Sequence, residues 1–487
     1  MKVGELAAAL GCEVRGHTEL VVAGITHDSA RVEPGFVFAA LPGLRHHGIE
    51  FLPEARQRGA CAVLSDRDPG GDLPWILTSN PRRSTALAAW LLAGNPHERL
   101  LLVGVTGTNG KSTVCDLTAR ILEAAGHPVG VFGTLGYRLP HRTLPAARTT
   151  PEPCDLAPLL AQLAQHPNAV AVMEVSSHAL ALERVTGLTF DVACWTNFTQ
   201  DHLDFHQTME AYFAAKSRIF DLLRESPAGR RVLNLDDPAL VGLASQHRPG
   251  DITFGLHREA MVRGQQVRYT LEGSELTLIT PYGEGRLLFP LIGEHNVKNA
   301  LAAAACAIAL GVPLDAILAG LSQATPLPGR LERLAMDAPF AVFVDYAHTP
   351  DALEQVLKTL RPLTPGRLIV VFGCGGDRDQ AKRPLMGEVV ARWADVPIVT
   401  SDNPRSEDPS AIIGMILEGV ARVANPRTLV LPDRREAIDA ALRLAEPGSV
   451  VVLAGKGHER EQVFADRTVP FSDQEVAKEL WARRKRG

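Results

Sequence analysis

One stretch constrains the fold of this chain more than any other: Thr106-Gly107-Thr108-Asn109-Gly110-Lys111-Ser112-Thr113. It follows the apolar run 100–105 and precedes a helical pattern from Val114 to about Ala125. A glycine-rich turn between a buried strand and a helix directs backbone N–H groups and the positive helix end at an anion. Lys111 adds a point charge, and the hydroxyl of Ser112 suits Mg²⁺. The stretch predicts a phosphate-binding loop, and a merely structural connection is the alternative.

Length and composition restrict the class of protein. A chain of 487 residues is too long for one core, and its length predicts about three domains. The net charge of -5 argues against a general nucleic-acid-binding protein. We also expect no membrane partner, because the sequence shows neither a signal peptide nor an apolar run long enough to span a bilayer. The seven cysteines are scattered and lack a CxxC pair, which predicts reduced thiols in a cytoplasmic protein.

The order of apolar and helical segments predicts an α/β fold in three domains, with boundaries at 1–98, 99–330 and 331–487. Residues 1–98 carry short apolar segments broken by glycines and prolines, as in a small α/β domain. Residues 99–330 alternate apolar runs with helical patterns, which is typical of a mainly parallel sheet wrapped by helices. The remaining residues repeat this alternation. The segment 326–329 is the predicted linker.

Polar residues follow three predicted strands of the central segment. They are Glu174, Ser176, Ser177 and His178 after 169–173, Asn197, Thr199, Asp201 and His202 after 192–195, and Asp236 and Asp237 after 232–235. Parallel sheets bind ligands at the carboxyl ends of their strands, so we expect these residues to converge on the phosphate loop. Glu174, His202 and Ser112 together suit Mg²⁺ bound to nucleotide phosphates. A carboxylate that complements a helix dipole and a structural histidine are the alternatives. The set predicts an ATP site that transfers phosphate to a small molecule.

Charged residues also follow predicted strands in the last segment, namely Arg378, Arg405, Lys456 and Glu459. Such a mixture of cations and an anion suits a zwitterionic ligand. Arginine can bind a carboxylate through two hydrogen bonds, and a glutamate can accept from an ammonium group. Surface ion pairs are the alternative.

Ten motifs, taken in chain order, together resemble the Mur ligase family. They are TGTNGKST (106–113), MEVSSHAL (173–180), NFTQDHLDFH (197–206), AAK (214–216), GEHNVKNALAA (293–303), PGRLE (328–332), DYAHTPDAL (345–353), GCGGDRD (373–379), DNPR (402–405) and GKGHE (455–459). Within the family the chain most resembles the branch that extends UDP-N-acetylmuramoyl-L-alanyl-D-glutamate in peptidoglycan synthesis. The resemblance implies an N-terminal domain for the UDP moiety, a central P-loop ATPase and a C-terminal Rossmann-like domain for the amino acid.

The resemblance also implies roles for particular residues. The catalytic residues would be Lys111, Lys216, Glu174 and His202. Lys216 would be carboxylated and would hold Mg²⁺ together with Ser112, Glu174 and His202. ATP would be bound by Gly107, Thr108, Asn109, Gly110, Lys111, Ser112, Thr113, Asn299, Arg330 and Asp345. The UDP-N-acetylmuramoyl dipeptide would be bound by Thr26, His27, Asp28, Ser29, Thr149, Thr150, Ser176 and Arg184. The amino acid would be bound by Arg378, Asp402, Asn403, Pro404, Arg405, Gly455 and Glu459.

The implied activity is ATP-dependent ligation of a diamino acid through an acyl phosphate. The DNPR motif resembles that of Mur ligases that take meso-diaminopimelate, which implies this amino acid here. The chemistry agrees, because Arg405 can pair with the distal carboxylate that lysine and ornithine lack. The same ligation with L-lysine or L-ornithine stays open. Another carboxylate–amine ligase and a non-catalytic nucleotide-binding switch are the alternatives of other kinds. We expect a monomer.

Overall fold

The computed structural model describes residues 1–43, 46–225, 228–246 and 248–486. The chain divides into two compact units. The first comprises Met1–Gln266, Thr277–Leu287 and Lys298–Gln323, and the second comprises Val267–Leu276, Leu288–Val297 and Ala324–Gly487. The three domain ranges given above stay a prediction. Within the described residues, every helix is too short or too polar to cross a lipid bilayer.

The first unit begins with a five-stranded sheet. In spatial order its strands are Glu13–Arg15, Trp75–Leu77, Ala62–Ser65, Phe36–Ala39 and Gly24–Thr26. Neighbouring strands run parallel, except that Glu13–Arg15 is antiparallel to Trp75–Leu77. The helices are Val3–Ala9, Leu52–Gln57 and Pro81–Leu92, with 3₁₀ turns at Ser29–Arg31, Gly48–Phe51 and Pro96–Arg99. The α/β class predicted for this part is confirmed.

A mainly parallel sheet follows. Starting from Ile252–Gly255, which is not an edge strand, the spatial order is Ile252–Gly255, Arg230–Asn234, Val192–Trp195, Leu101–Thr106, Val170–Glu174, Val129–Gly133, Gly136–Leu139 and Arg142–Leu144. The central strand, Leu101–Thr106, pairs in parallel with a strand on each side. Its side chains are buried almost throughout, as expected for a parallel strand covered on both faces. The phosphate loop therefore leaves the sheet between the ends of two neighbouring strands.

Helices connect these strands. They are Lys111–Ala124, Pro153–Leu163, Ser177–Ala181, Leu203–His206, Met209–Ser217 and Pro238–Ala244, with a 3₁₀ turn at Arg218–Leu222. The first of them begins at Lys111 rather than at Val114. The turn into it is made by Gly110, whose φ is 85°, and this left-handed conformation favours glycine.

Further along the chain come the strands Val262–Thr270, Gly273–Thr280 and Gly283–Phe289 and the helices Glu294–Ala309 and Leu314–Ser322. The alanine-rich sequence predicts a helix from Ala300 to Leu310, after the segment 293–299. The helix begins earlier, at Glu294, whose negative charge is favourable in a first turn. Asn299 is therefore part of this helix.

The second unit contains a six-stranded sheet. Its order is Glu332–Arg333, Ala341–Asp345, Val450–Ala454, Leu368–Phe372, Val396–Val399 and Leu429–Val430, and neighbours run parallel apart from the first pair. The helices are Pro350–Leu360, Lys382–Trp393, Pro409–Val423, Arg434–Leu444 and Asp473–Arg486, with a 3₁₀ turn at Arg361–Leu363. A hairpin of Glu461–Val463 and Thr468–Pro470 completes the unit. The apolar runs 342–344, 368–372, 398–400 and 450–453 predict four strands, each followed by a motif, and all four strands are present.

Candidate active site

The phosphate loop is held partly by Lys111 itself. Lys111 Nζ donates hydrogen bonds to the carbonyl oxygens of Gly107 and Thr108, both at 2.9 Å. Burial lowers the pKa of Lys111, while the negative charge of Glu174 opposes that shift. Lys111 is thus enclosed by the phosphate loop, to which it was predicted to supply a positive charge.

The loop is also fixed by residues that follow the neighbouring strand, Val192–Trp195. Asn109 N donates to Asn197 Oδ1 at 2.8 Å, and Asn197 Nδ2 donates to Asn109 O at 3.0 Å. Thr108 Oγ1 donates to Thr199 O at 3.1 Å and accepts from Thr199 N at 3.0 Å. Asn197 and Thr199 were predicted to lie near the loop. The sequence did not show that the Asn197 side chain binds the backbone of Asn109, or that the backbone of Thr199 binds the Thr108 side chain. Thr113 lies in the first turn of the helix that follows the loop.

Asn299 lies against the phosphate loop. A Cβ atom added to Gly110 would overlap Asn299 Oδ1. Glycine is therefore needed at position 110 for space as well as for its φ. The predicted ATP residues of the first unit, 107–113 and Asn299, are brought together.

Glu174 connects the helix of the phosphate loop to the end of Val170–Glu174. Ser112 Oγ donates to Glu174 Oε1 at 2.7 Å, and Thr134 N donates to the same oxygen at 2.8 Å. The second oxygen, Oε2, has a long contact of 3.4 Å with Thr134 Oγ1. A hydroxyl and a carboxylate side by side are hard oxygen donors of the type that Mg²⁺ prefers. Thr134 was not identified from the sequence, because it lies in a short turn without a motif.

Lys216 is buried beside the loop, with 1% of its surface exposed. Its Nζ donates to Gly107 O at 2.7 Å and lies 4.7 Å from the centre of the Tyr212 ring. Burial lowers the pKa of Lys216 to about 6, and the positive charge of Lys111 contributes in the same direction.

His202 belongs to a cluster of rings next to Lys216. Its ring centre is 4.7 Å from that of His178 and 6.2 Å from that of Tyr212, the ring that Lys216 contacts. His206 joins the cluster, 5.1 Å from Tyr212. Among the residues whose positions are described, no three of His, Cys, Asp and Glu are grouped so that they could hold a metal ion. A metal here needs ligands of other types, such as the Ser112 hydroxyl or a modified Lys216.

The two aspartates after Arg230–Asn234 bind backbone groups of other loops. Asp236 accepts from Leu256 N and His257 N, and Asp237 accepts from Phe198 N at 2.6 Å. Asp237 also caps the helix Pro238–Ala244. These bonds assign both aspartates to the support of neighbouring loops rather than to the phosphate loop.

Four residues predicted to bind the dipeptide form one network behind Glu174. Thr150 Oγ1 donates to Glu174 O at 2.8 Å and accepts from Ser176 N at 3.1 Å. Arg184 Nη1 donates to Thr150 O at 3.4 Å, and Thr149 Oγ1 is 3.0 Å from Thr134 Oγ1. The network is thus continuous with the Ser112–Glu174 pair.

Arg184 is buried and forms an ion pair with Glu152. The distance from Arg184 Nε to Glu152 Oε1 is 2.8 Å, and each side chain is 8% exposed. Glu152 could not be identified from the sequence, because the two residues are far apart in the chain and neither belongs to a charge pattern.

The predicted UDP residues, 26–29, form a turn that is connected to the same region. Thr26 Oγ1 accepts from Asp28 N at 3.2 Å, and Asp28 caps the turn Ser29–Arg31. Ser29 Oγ donates to Glu54 Oε2 at 2.7 Å. Arg31, at the end of this turn, forms an ion pair with Asp155, which lies in the first turn of Pro153–Leu163. The turn that contains His27 is thereby tied to the helix that follows Glu152.

In the second unit, Asp345 holds the chain around Arg330. The buried carboxylate of Asp345 accepts from Leu331 N at 2.6 Å and from Ala347 N at 2.7 Å. Burial raises the pKa of Asp345. The Arg330 guanidinium lies 5.1 Å from the centre of the Tyr346 ring. Asp345 thus fixes the backbone next to Arg330.

The predicted amino-acid residues lie at the carboxyl end of the second sheet. Asn403 Nδ2 donates to Glu459 Oε2 at 2.8 Å. A Cβ at Gly455 would lie 2.5 Å from Asp402 Oδ2, and burial raises the pKa of Asp402. The chain continues through Pro404 to Arg405. These residues come from the ends of two strands, as the sequence predicted.

Two arginines complete this group. Arg405 Nη1 donates to Gly376 O at 2.7 Å. Arg378 donates to Asp377 O at 3.0 Å, in the same loop as Gly376. Both guanidinium groups therefore lie at the loop that follows Leu368–Phe372.

Comparison with known proteins identifies the family of this chain. Family profiles match three successive ranges: "Mur ligase family, catalytic domain" at 21–100, "Mur ligase middle domain" at 105–307 and "Mur ligase, glutamate ligase domain" at 329–457. A protein of Gloeobacter violaceus is 44% identical over 492 residues, with 100% of this chain and 99% of its own covered. The chain belongs to the Mur ligase family. The resemblance inferred from the motifs is confirmed.

The relatives are named for one branch of the Mur ligases. The Gloeobacter protein is called UDP-N-acetylmuramoyl-L-alanyl-D-glutamate--2,6-diaminopimelate ligase. A protein of Geobacter metallireducens with the same name is 42% identical over 497 residues, covering 98% of this chain and 97% of its own. A solved structure of a ligase with this name has a TM-score of 0.75 at 32% identity, covering 100% and 99% of the two chains. The likeness to these Mur ligases extends over the whole chain.

Proposed function

We propose that this Mur ligase joins meso-diaminopimelate to UDP-N-acetylmuramoyl-L-alanyl-D-glutamate and converts ATP to ADP and phosphate. The observation that carries the proposal is the grouping of Lys111, Ser112, Glu174 and Lys216 around one phosphate loop. The network that contains Thr150 is continuous with this group, so an acid bound there would lie next to the loop. The names of the relatives supply the substrates.

The first step is phosphorylation of the side-chain carboxylate of the D-glutamyl residue. A carboxylate oxygen attacks the γ-phosphorus of ATP, the bond to the β,γ-bridging oxygen breaks, and ADP leaves. The product is an acyl phosphate, whose carbonyl carbon is electrophilic. Lys111, and Arg330 from the second unit, are the cations assigned to offset phosphate charge in this step.

Ser112, Glu174, His202 and a carboxylated Lys216 would hold Mg²⁺, which offsets the negative charge of phosphate oxygens. The donor set fits a hard cation, because Ser112 Oγ and the carboxylate of Glu174 are adjacent. Carboxylation of a lysine needs the neutral amine, which attacks CO₂ and loses one proton. The lowered pKa of Lys216, about 6, makes the neutral amine the main form at neutral pH.

In the second step the amine of the incoming amino acid adds to the acyl carbon. The tetrahedral intermediate expels phosphate and loses a proton, and an amide remains. Glu459 is assigned to the ammonium group of the bound amino acid and Arg405 to its distal carboxylate. A lysine or ornithine ligand would leave Arg405 without this partner.

The experiment that tests the proposal measures phosphate release with each substrate omitted in turn. We expect release only when ATP, the UDP-linked dipeptide and a diamino acid are all present, with meso-diaminopimelate preferred over L-lysine and L-ornithine. ATP binding without such turnover would contradict ligation and favour a nucleotide-dependent switch. A preference for lysine would keep the ligation and remove the role assigned to Arg405.

We further propose that the ligase acts as a monomer in the cytoplasm. All seven cysteines are free thiols, which suits a reducing compartment. Light scattering coupled to gel filtration tests the oligomeric state, and a mass near 52.4 kDa is expected. A mass of twice that value would contradict the monomer.

A further inference from the structure

Lys456 is a buried cation in the loop that follows Val450–Ala454. Its side chain is 0% exposed, and lysines are almost never buried completely unless they are paired. The sequence suggested Lys456 as a cation available to a ligand. Its burial points to a different task.

The Lys456 ammonium group contacts three acceptors in the candidate amino-acid site. Nζ donates to Asn403 Oδ1 at 3.1 Å, to Glu459 Oε2 at 3.0 Å and to the carbonyl oxygen of Glu461 at 2.6 Å. An ammonium group has three N–H donors and no acceptor. These three bonds use all the donors, so the group cannot also bind a ligand.

Lys456 determines which way the amide of Asn403 faces. Asn403 Oδ1 accepts from Lys456 and also from Val463 N, at 3.0 Å. With the oxygen on that side, Nδ2 faces Glu459 and donates to Oε2 at 2.8 Å. A reversed amide would direct its N–H groups at two other donors.

Lys456 also determines which oxygen of Glu459 is used within the protein. Lys456 and Asn403 both donate to Oε2 of Glu459. Neither bond involves Oε1, and the Glu459 side chain is 32% exposed. A ligand that enters the site therefore meets a carboxylate whose rotation is already restricted.

We propose that Lys456 is a positioning residue for the amino-acid substrate: it acts through Asn403 and Glu459, and it leaves Oε1 of Glu459 to accept from the substrate ammonium group. This inference rests on the proposed function. It differs from a purely structural ion pair, because loss of Lys456 would weaken the binding of one substrate out of three. The other two substrates are assigned to residues of the phosphate loop and of the network around Thr150.

The test is the variant Lys456→Met, which keeps a long side chain and removes the charge and the donors. We expect the KM for meso-diaminopimelate to rise about tenfold or more, which corresponds to the loss of a hydrogen bond to a charged group. The KM values for ATP and the UDP-linked dipeptide should stay within about twofold, and kcat should change less than the KM for the amino acid. Lys456→Gln, which keeps a donor without the charge, should give an intermediate KM.

A double-mutant cycle adds a measurement that a structural role would not affect. If Lys456 acts through Glu459, then Lys456→Met should raise the KM much less in a Glu459→Gln background than in the native one. Additive effects of the two changes would contradict the inference, since residues without a shared interaction give independent effects.

Arg361→Met is the matched control in the same unit. Arg361 forms an ion pair with Asp395 at 2.6 Å and donates to the carbonyl oxygens of Thr364 and Gly366. Asp395 also accepts from Leu368 N, at the start of Leu368–Phe372. This pair thus lies at the opposite end of the sheet from Lys456. We expect Arg361→Met to lower Tm and to leave all three KM values unchanged.

Several results would overturn the inference. They are an unchanged KM for meso-diaminopimelate in Lys456→Met, an equal rise in all three KM values, or failure of both Lys456 variants to fold, which would assign Lys456 to stability alone. In each of these cases the native chain stays an active ligase, so the proposed function stands. If the native chain itself neither binds nor ligates a diamino acid, both the proposed function and this inference are contradicted.

Discussion

Lys111 and Lys216 donate hydrogen bonds to one and the same oxygen, the carbonyl of Gly107, at 2.9 Å and 2.7 Å. Two ammonium groups this close repel each other, and both are largely shielded from water. One of them is therefore favoured in its neutral form, and the pKa of Lys216, lowered to about 6, identifies it as that group. Lys216 therefore meets the requirement for carboxylation, which is an amine in its neutral form.

The lowered pKa of Lys216 predicts how stability depends on pH. An unfolded lysine titrates near 10.5 and the folded one near 6. Between these values the unfolded chain binds one more proton, so the free energy of unfolding rises with pH across that window. Below about pH 6 Lys216 is protonated in both states, so the folded chain bears the full free-energy cost of burying the charged amine. In buffer without bicarbonate, Lys216→Met should therefore raise Tm most near pH 6, and the gain should vanish toward pH 10.

Thermal unfolding of the native chain and of Lys216→Met at several pH values measures this difference. A Tm difference that is constant with pH would contradict the titration of Lys216 in this range. The same samples, supplied with ¹³C-bicarbonate, should show a carbamate signal by NMR that the variant lacks. Lys216→Met should be inactive in ligation.

Glu174→Gln tests the assignment of the Ser112–Glu174 pair. Glutamine keeps the size and an acceptor oxygen for Ser112 Oγ, which lies 2.7 Å from Glu174 Oε1, but removes the negative charge. We expect kcat/KM to fall by about a hundredfold or more, as for loss of a ligand to a catalytic metal, with little change in Tm. Glu123→Gln is the control, because Glu123 pairs with Arg138 at the surface. Equal activity of both variants would remove Glu174 from the proposed site.

Arg184→Met should affect both stability and substrate binding. The change removes the closer of the two ion pairs of the buried Glu152 carboxylate and leaves its 3.4 Å contact with Arg148. The cost should therefore lie below the about 3–5 kcal/mol that applies when a buried charge loses its whole partner. We expect a clear loss of Tm and a higher KM for the UDP-linked dipeptide, with the KM for ATP unchanged. A double change of Arg184 to Met and Glu152 to Gln should recover much of the stability without recovering the KM. Recovery of both would mean that Arg184 is only a structural residue.

Arg405→Lys tests the choice of amino acid. Lysine keeps the positive charge but cannot offer two parallel N–H donors to a carboxylate. The ratio of kcat/KM for meso-diaminopimelate to that for L-lysine should fall by about tenfold or more, which is the scale of one charge-assisted hydrogen bond. Arg467→Lys, at an exposed ion pair with Asp466, should leave the ratio unchanged. An unchanged ratio of the two kcat/KM values in Arg405→Lys would show that other residues determine the selectivity.

Gly110→Ala tests the fit between the phosphate loop and Asn299. The φ of Gly110 is 85° and a Cβ there would overlap Asn299 Oδ1, whereas Gly126 has a φ of 87° and open space beside it. Both alanine variants carry the backbone strain, about 1–3 kcal/mol for such a conformation. Only Gly110→Ala should in addition weaken ATP binding, measured by calorimetry. Equal ATP affinity in the two variants would show that contact with Asn299 is not required.

The local parts of the site could be predicted from the sequence, because each is encoded in a short stretch. The turn from a buried strand through Gly107 and Gly110 into a helix with Lys111 and Ser112 depends on residues that are adjacent in the chain. The positions of Glu174 and His202 after strands could be predicted for the same reason. The order of parallel strands then brings these stretches together.

What could not be predicted depends on contacts between distant residues and on burial. The Arg184–Glu152 pair and the two bonds between Asn109 and Asn197 carry no local pattern. Lys456 could be recognised as a cation near the amino-acid site, but its complete burial depends on how the loop folds over it. The start of Glu294–Ala309 was placed too late, because a polar first turn resembles a loop in sequence.

The backbone on each side of Arg330 is fastened within the second unit. Gly329 N donates to Glu332 Oε2 at 2.8 Å, and Leu331 N donates to Asp345 Oδ2 at 2.6 Å. The two residues that flank Arg330 are therefore anchored by carboxylates of their own unit. A change in the direction of the guanidinium has to come from rotation about the side-chain bonds of Arg330 and not from a shift of its backbone within that unit.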